Sequence, residues 1–165
     1  MPGRWTHLAA RFVDVVTSRP LTATERQRVE TWLGPDSAAA KAYFSQSPAD
    51  QRHGLSSADY VTRHAPNRPD LVRAALLHDI GKRHAGLGVI ERVLASLALR
   101  LRIPVQGRWA LYRDHGRIAA AELTPESELV RRFALHHHGQ RPAEIPPADW
   151  DILIASDQAR LGRDR

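Results

Sequence analysis

Apolar side chains recur at helical spacing along most of the chain, and the alternating pattern of a β-strand is nearly absent. Two capping patterns mark helix starts. Thr22 and Glu25 fit a capping box, and Ser47 followed by Pro48 fits an N-cap with proline at the first helical position. We predict that the helix opened by Pro48 runs to about His64.

The middle of the chain carries two strongly apolar segments. Pro69 opens the first, and we expect Gly81 to end that helix. The second is predicted to begin at Gly86 or Gly88. Its apolar residues have the spacing of one helix face, and we expect that face to be buried. They are Val89, Ile90, Val93, Leu94, Leu97 and Leu101.

The last third of the chain also has helical spacing. Residues 109–123 are predicted as one helix or two, with a possible break at Gly116. A further helix starts at Thr124, and Pro147 opens the final one.

Together these segments predict an all-α, single-domain bundle of seven or eight helices. An amphipathic helix is expected over residues 8–16. Residues 1–46 would supply N-terminal helices that pack on a core formed by residues 47–165.

Composition narrows the chemistry of this bundle. The chain has 165 residues, 42% hydrophobic and 25% charged, which is typical of one globular domain. It has no cysteine, which excludes a disulfide scaffold, thiolate zinc sites, iron–sulfur clusters and a cysteine nucleophile. Any metal ion would therefore be held by imidazole and carboxylate groups, and the chain has nine histidines.

Charge gives weaker information about partners. The net charge is +6, and all basic residues except Lys41 and Lys82 are arginines dispersed along the chain. Nucleic-acid modules more often have a basic stripe with interleaved aromatics, so we do not expect a nucleic-acid partner. The sequence contains no run of about 18 apolar residues, so no membrane-spanning helix is predicted. We expect a cytoplasmic protein.

The most informative segment is LLHDIGK at residues 76–82, where a buried helix ends on His78 and Asp79. A buried His–Asp hydrogen bond is the simplest interpretation of that dipeptide. Other potential ligands on the apolar ends of helices favour a metal site instead. These are His53, His115, the run His136–His138, and Asp157.

The order of these residues resembles the HD domain superfamily of metal-dependent phosphohydrolases, which have a helical bundle with a metal in its core. LLHDIGK is similar to the most typical segment of that superfamily, and ASDQA at residues 155–159 is similar to its closing aspartate. The resemblance covers residues 50–160. It implies that a first metal ion is bound by His53, His78, Asp79 and Asp157.

Two further segments resemble those that give HD-GYP-type members a second metal ion. They are YRDHGRIAAAEL at residues 112–123 and RRFALHHHG at residues 131–139. The resemblance implies His115, His137 and His138 as second-site ligands, with Asp79 as the bridge. The triple histidine leaves that register open by one residue.

The chain departs from the HD-GYP pattern at several positions. Gly139 stands where a glutamate is expected, no Asp-Gly-x-Gly-Tyr-Pro segment follows, and Ala49, with Asp50 beside it, stands where that group has an acidic ligand. These departures put specificity for cyclic dinucleotides in doubt and argue against a third ion.

The expected activity is hydrolysis of a phosphomonoester or phosphodiester, with a nucleotide as the favoured substrate. One or two divalent ions (Mn, Fe, Co, Ni or Mg) would be bound, with Asp79 as the bridge if there are two. They would supply a metal-bound hydroxide that attacks phosphorus. Lys82 would neutralise developing charge or cap the helix dipole. Arg83 and Arg141 are candidates for holding the substrate phosphate. The alternatives are a non-catalytic HD-type signalling or interaction module and a nucleic-acid-binding protein.

Overall fold

The computed structural model describes residues 19–159, and within them it contains nine α-helices, one 3-10 helix and no strand. The all-α prediction is confirmed. The helix predicted over residues 8–16 and the arginines of the C-terminal tail lie outside the described residues. The α-helices are α1 (Ala23–Leu33), α2 (Ala38–Phe44), α3 (Pro48–His64), α4 (Pro69–Leu77), α5 (Val89–Arg100), α6 (Arg108–Arg113), α7 (His115–Glu122), α8 (Glu128–His136) and α9 (Pro147–Gln158).

The capping patterns begin helices as predicted. The Glu25 backbone N–H donates to the Thr22 hydroxyl at 3.3 Å, and the Thr22 N–H donates to the Glu25 carboxylate at 2.7 Å. The Ser47 hydroxyl accepts from the Asp50 N–H at the start of α3, which ends at His64. These reciprocal bonds satisfy backbone donors that a helix start would otherwise leave unpaired.

More helices form than the seven or eight predicted, partly because residues 109–123 divide in two. The break falls at Asp114 rather than at Gly116, which lies inside α7. A Cβ at Gly116 would lie 2.7 Å from the carbonyl oxygen of Ala134. Gly116 therefore permits close packing of α7 on α8 and does not mark a break. The short helix α2, capped by Ser37, adds another element.

The apolar helix opened by Pro69 is shorter than predicted. The α-helix ends at Leu77, and the chain continues through Gly81 as a 3-10 helix over Ile80–Ala85. That helix ends at Gly86, whose φ of 56° is left-handed and suits glycine. Helix α8 likewise begins at Glu128, later than Thr124, because Ser127 supplies its N-cap.

Helix α4 lies at the centre of the core, where it contacts α3, α8 and α9. Its residues Leu71, Leu76 and Leu77 are fully buried. Side chains of α1 and α2, such as Val29 and Tyr43, belong to the same buried cluster. Helices α1 and α2 therefore pack on the core, and the end of α4 is surrounded by other elements.

The apolar face predicted to be buried on α5 is exposed. Ile90 is 69% exposed and Leu101 is 62% exposed, whereas Ala95 and Ala98 face the protein. Small alanine side chains let the opposite face of α5 approach Ala85 and Leu87 closely. Periodicity thus identified one face of this helix but not the face that packs. No helix among residues 19–159 is long and apolar enough to cross a membrane.

Candidate metal centre

The end of α4 brings His78 and Asp79 into the core. His78 is the C-cap of α4 and is fully buried, and the Asp79 side chain is 4% exposed. Around them the fold gathers residues far apart in the sequence. Helix α3 supplies His53, α7 supplies His115 as its first residue, the turn directly after α8 supplies His137 and His138, and the last turn of α9 supplies Asp157.

One group of ligand atoms faces the Oδ1 oxygen of Asp79. His115 Nε2 lies 3.2 Å from this oxygen, and His137 Nε2 lies 3.4 Å from it. His138 also offers a nitrogen, so that one ligand atom from each of the four residues lies within 4.8 Å of the others. We call Asp79, His115, His137 and His138 the histidine-rich group.

A second group faces the Oδ2 oxygen of the same carboxylate. His78 Nε2 lies 3.4 Å from Oδ2, and His53 Nε2 lies 3.7 Å from it. Asp157 Oδ1 closes the group, 2.9 Å from His53 Nε2 and 3.3 Å from His78 Nε2. We call His53, His78 and Asp157 the mixed group.

Backbone carbonyls orient three of the imidazole rings. The Nδ1 atoms of His78, His115 and His137 lie 2.8, 2.7 and 2.9 Å from the carbonyl oxygens of the residues three positions earlier, Ala75, Tyr112 and Ala134. A carbonyl only accepts, so Nδ1 carries the proton. In the neutral ring Nε2 is then an acceptor that points at the carboxylates. In metal sites, a hydrogen bond from the ring nitrogen that does not bind the metal fixes the tautomer and the orientation of the histidine.

The spacing of these atoms fits a coordination sphere. Metal–ligand bonds of about 2.0–2.1 Å in tetrahedral geometry put ligand atoms roughly 3.3 Å apart. The contacts between Asp79 and the imidazoles of both groups span 3.2–3.7 Å, longer than good hydrogen bonds. Two of these atoms, His78 Nε2 and Asp79 Oδ1, are buried and have no hydrogen-bond partner among residues 19–159. The residues present therefore fit a divalent ion on each side of Asp79.

Electrostatics shows how strongly the mixed group attracts positive charge. Burial lowers the pKa of His78, but Asp79 and Asp157 outweigh it and raise that pKa to about 10. Burial raises the pKa of Asp157, yet the hydrogen bond from His53 and the His78 ring 3.3 Å away bring that pKa well below its usual range. A proton on His78 Nε2 thus takes a position that a metal ion can take instead.

In the histidine-rich group, His137 and His138 have lowered pKa values. Burial lowers the pKa of His137, with the charge of His78 adding to the effect. Burial and the neighbouring His137 and Lys82 lower the pKa of His138 to about 3. Metal ions bind unprotonated imidazole, so these two residues are ready to ligate at neutral pH. His136, the last residue of α8, belongs to neither group.

The three candidates for contacts with substrate lie in different surroundings. Lys82 is beside the centre, with its Nζ atom 2.5 Å from Asp79 Oδ2. The Arg83 guanidinium donates to Glu122 at 2.5 Å, and that of Arg141 donates to the Ile145 carbonyl at 2.6 Å. The structure brings only Lys82 to the ligand groups, and substrate binding by the two arginines stays a prediction.

One basic residue near the centre was not predicted. The Arg92 guanidinium donates to Asp50 at 2.7 Å and to the Leu87 carbonyl at 3.0 Å, and its side chain is 14% exposed. Asp50, noted in the sequence as an acid beside Ala49, is therefore paired and lies outside both groups. Helix α5 also carries Glu91, Ser96 and Arg100, so no sequence signal singled out Arg92.

Comparison of the chain with protein-family models, curated proteins and solved structures finds no match.

Proposed function

We propose that this chain is a metal-dependent phosphohydrolase of the HD type that cleaves a phosphomonoester or phosphodiester, with a nucleotide as the favoured substrate. The observation that supports this best is the position of Asp79. Its Oδ1 atom faces the histidine-rich group and its Oδ2 atom faces the mixed group. A carboxylate in that position suits two ions about 3.5–4 Å apart, the separation found in two-metal phosphatases.

Divalent ions held there, whether Mn, Fe, Co, Ni or Mg, would polarise the phosphoryl group and lower the pKa of a water molecule that attacks it. The chain itself contributes fixed geometry. Carbonyls hold the rings of His78, His115 and His137 in place, so little reorganisation is needed when ligands engage. Burial of Asp79 keeps bulk water away from the shared carboxylate.

Charge favours an anionic substrate. The two groups together contain two carboxylates, Asp79 and Asp157, and five histidines. Two divalent ions would exceed that negative charge and leave the centre cationic. Lys82 adds a further positive charge next to Asp79, where it can stabilise negative charge that develops on the phosphoryl oxygens.

Hydrolysis assays test the proposal. The purified chain is incubated with a panel of nucleotides and a generic aryl phosphate, each with Mn²⁺, Co²⁺, Ni²⁺ or Mg²⁺. We expect phosphate release in the wild type and at least a hundredfold loss in Asp79→Asn. Asp151→Asn makes the same change at an exposed residue of α9 and should retain activity. Metal binding without hydrolysis of any ester would favour the non-catalytic module instead.

A further inference from the structure

We propose that Lys82 blocks the mixed group against metal, so that the two groups fill in a fixed order with the histidine-rich group first. This inference rests on the proposed metal-dependent function, because it concerns how the same centre is loaded. It assigns Lys82 a role that precedes any contact with substrate.

The two oxygens of Asp79 differ in what already binds them. The Lys82 ammonium lies 2.5 Å from Oδ2, which is the oxygen that faces His53 and His78. Oδ1 is buried and has no hydrogen-bond donor in the part of the chain that the structure describes. A cation is thus in place on the side of the mixed group, while the carboxylate oxygen on the other side is available.

The mixed group is also closed by a contact between its own members. His53 Nε2 and Asp157 Oδ1 form a hydrogen bond of 2.9 Å. An ion that entered this group would have to break that bond and displace Lys82 from Asp79. In the histidine-rich group the corresponding contact, His115 Nε2 to His137 Nε2, is 3.4 Å long, and within residues 19–159 no lysine or arginine hydrogen-bonds to the three imidazoles or to Asp79 Oδ1. An ion that entered the histidine-rich group would therefore break no lysine ion pair and no hydrogen bond as short as that between His53 and Asp157.

Displacement of Lys82 would link loading to substrate binding. While its ammonium is paired with Asp79, Lys82 binds a substrate phosphate less strongly. An ion in the mixed group competes for the same oxygen and frees the ammonium at the edge of the centre. The doubly loaded state would then be the one in which Lys82 meets the substrate, which makes the second ion a condition for tight phosphate binding.

The chain makes this order easy to follow because Lys41 and Lys82 are its only lysines. The full chain is labelled with ¹³C-lysine, stripped of metal with EDTA, and titrated with Zn²⁺, which is diamagnetic. We expect the Lys82 Cε signal to stay in place during the first equivalent and to shift during the second, with Lys41 unchanged throughout. A Lys82 shift during the first equivalent, or none after two ions have bound, would overturn the proposal.

Calorimetric titration of variants provides the second test. Lys82→Met should tighten the second Zn²⁺ binding step at least tenfold and the first by less than threefold. Lys82→Arg keeps the cation and should bind like the wild type. Lys41→Met removes the same charge from α2 and should change neither step.

Failure of this inference is distinguishable from failure of the proposed function. Two bound ions with a second step unaffected by Lys82→Met would reject the fixed order alone. A chain that binds no metal would reject both. If Lys82→Met does not fold, the NMR titration of the wild type still decides the order.

Discussion

A Cβ atom on Gly81 would lie 2.1 Å from the carbonyl oxygen of His115. No side chain fits in that space, so the 3-10 helix after Asp79 packs backbone to backbone against the start of α7. This contact places the His115 imidazole beside Asp79, 3.2 Å from its Oδ1 atom. The glycine of the HDIGK segment therefore positions a ligand that lies more than 30 residues away in the sequence.

Gly81→Ala should damage the histidine-rich group specifically. The added methyl group forces the 3-10 helix and α7 apart, which should cost about 1–3 kcal/mol of unfolding free energy. Metal content should fall by about one ion per chain, measured by elemental analysis. Gly88→Ala is the matched control, because a Cβ there meets only the Glu91 carboxylate at 3.6 Å. Its cost should stay below about 1 kcal/mol, with full metal content. Equal metal content in both variants would contradict this role of Gly81.

Each ligand group should account for about one ion. We expect His137→Ala/His138→Ala to remove the ion of the histidine-rich group and His53→Ala to remove that of the mixed group, since each group loses imidazole ligands it cannot replace. His64→Ala is a control on the same helix as His53, where the exposed imidazole bonds to the Tyr60 carbonyl. Elemental analysis of the four proteins checks this. Loss of all metal in His53→Ala would indicate that the two groups are not independent.

Several helix starts were predictable from the sequence because local capping chemistry determines them. Ser47 caps α3, and Pro147 opens α9, in the structure as in the prediction. The break at Asp114 and the close approach of Gly116 to the Ala134 carbonyl were not predictable, because both depend on how α7 packs against α8. A lone sequence carries no direct record of such packing.

The metal-ligand residues likewise divide into those that the local sequence indicates and those that only the packing of the helices brings together. His78 and Asp79 stand out in the sequence because they end a strongly apolar helix. The resemblance supplied the other members, and only the fold shows that each Asp79 oxygen faces its own group. Arg92 was missed because the exposed and packed faces of α5 were assigned the wrong way round.

The exposed face of α5 yields a direct stability test. Leu97 is 42% exposed, whereas Leu77 in α4 is fully buried. Leu97→Ala should change the free energy of unfolding by less than about 0.5 kcal/mol, and Leu77→Ala should cost about 2–5 kcal/mol through lost burial and a cavity. Urea denaturation monitored by circular dichroism measures both. A large loss in Leu97→Ala would mean that this face is covered in solution.

Stability of the metal-stripped protein should fall as pH rises from 7 to 9. The pKa of His78 is raised from 6.5 to about 10 in the folded state, so the folded chain holds one more proton than the unfolded chain across this window. The stabilising contribution is complete below pH 6.5 and is lost as pH approaches 10, at up to about 1.4 kcal/mol per pH unit. The pKa values of His137 and His138 are lowered in the folded state, so their opposite effect on stability is confined to the lower end of this window, where the unfolded histidines still bind protons.

Urea denaturation in EDTA at pH 7, 8 and 9 measures this slope. His78→Gln removes the titrating group and should give a flatter dependence, although the variant is less stable at pH 7. Identical slopes in the wild type and in His78→Gln would show that His78 does not hold the extra proton.

The central claim is that Asp79 holds divalent metal between two ligand groups, and metal content measures it most directly. Wild-type chain and Asp79→Ala are each loaded with Mn²⁺, Fe²⁺, Co²⁺ or Ni²⁺, freed of unbound ion, and analysed by elemental mass spectrometry, with generic phosphate-ester hydrolysis followed on the same samples. We predict up to two ions per wild-type chain with hydrolysis, and loss of both ions and hydrolysis in Asp79→Ala. A wild-type chain that retains none of these metals and hydrolyses no phosphate ester would contradict the account.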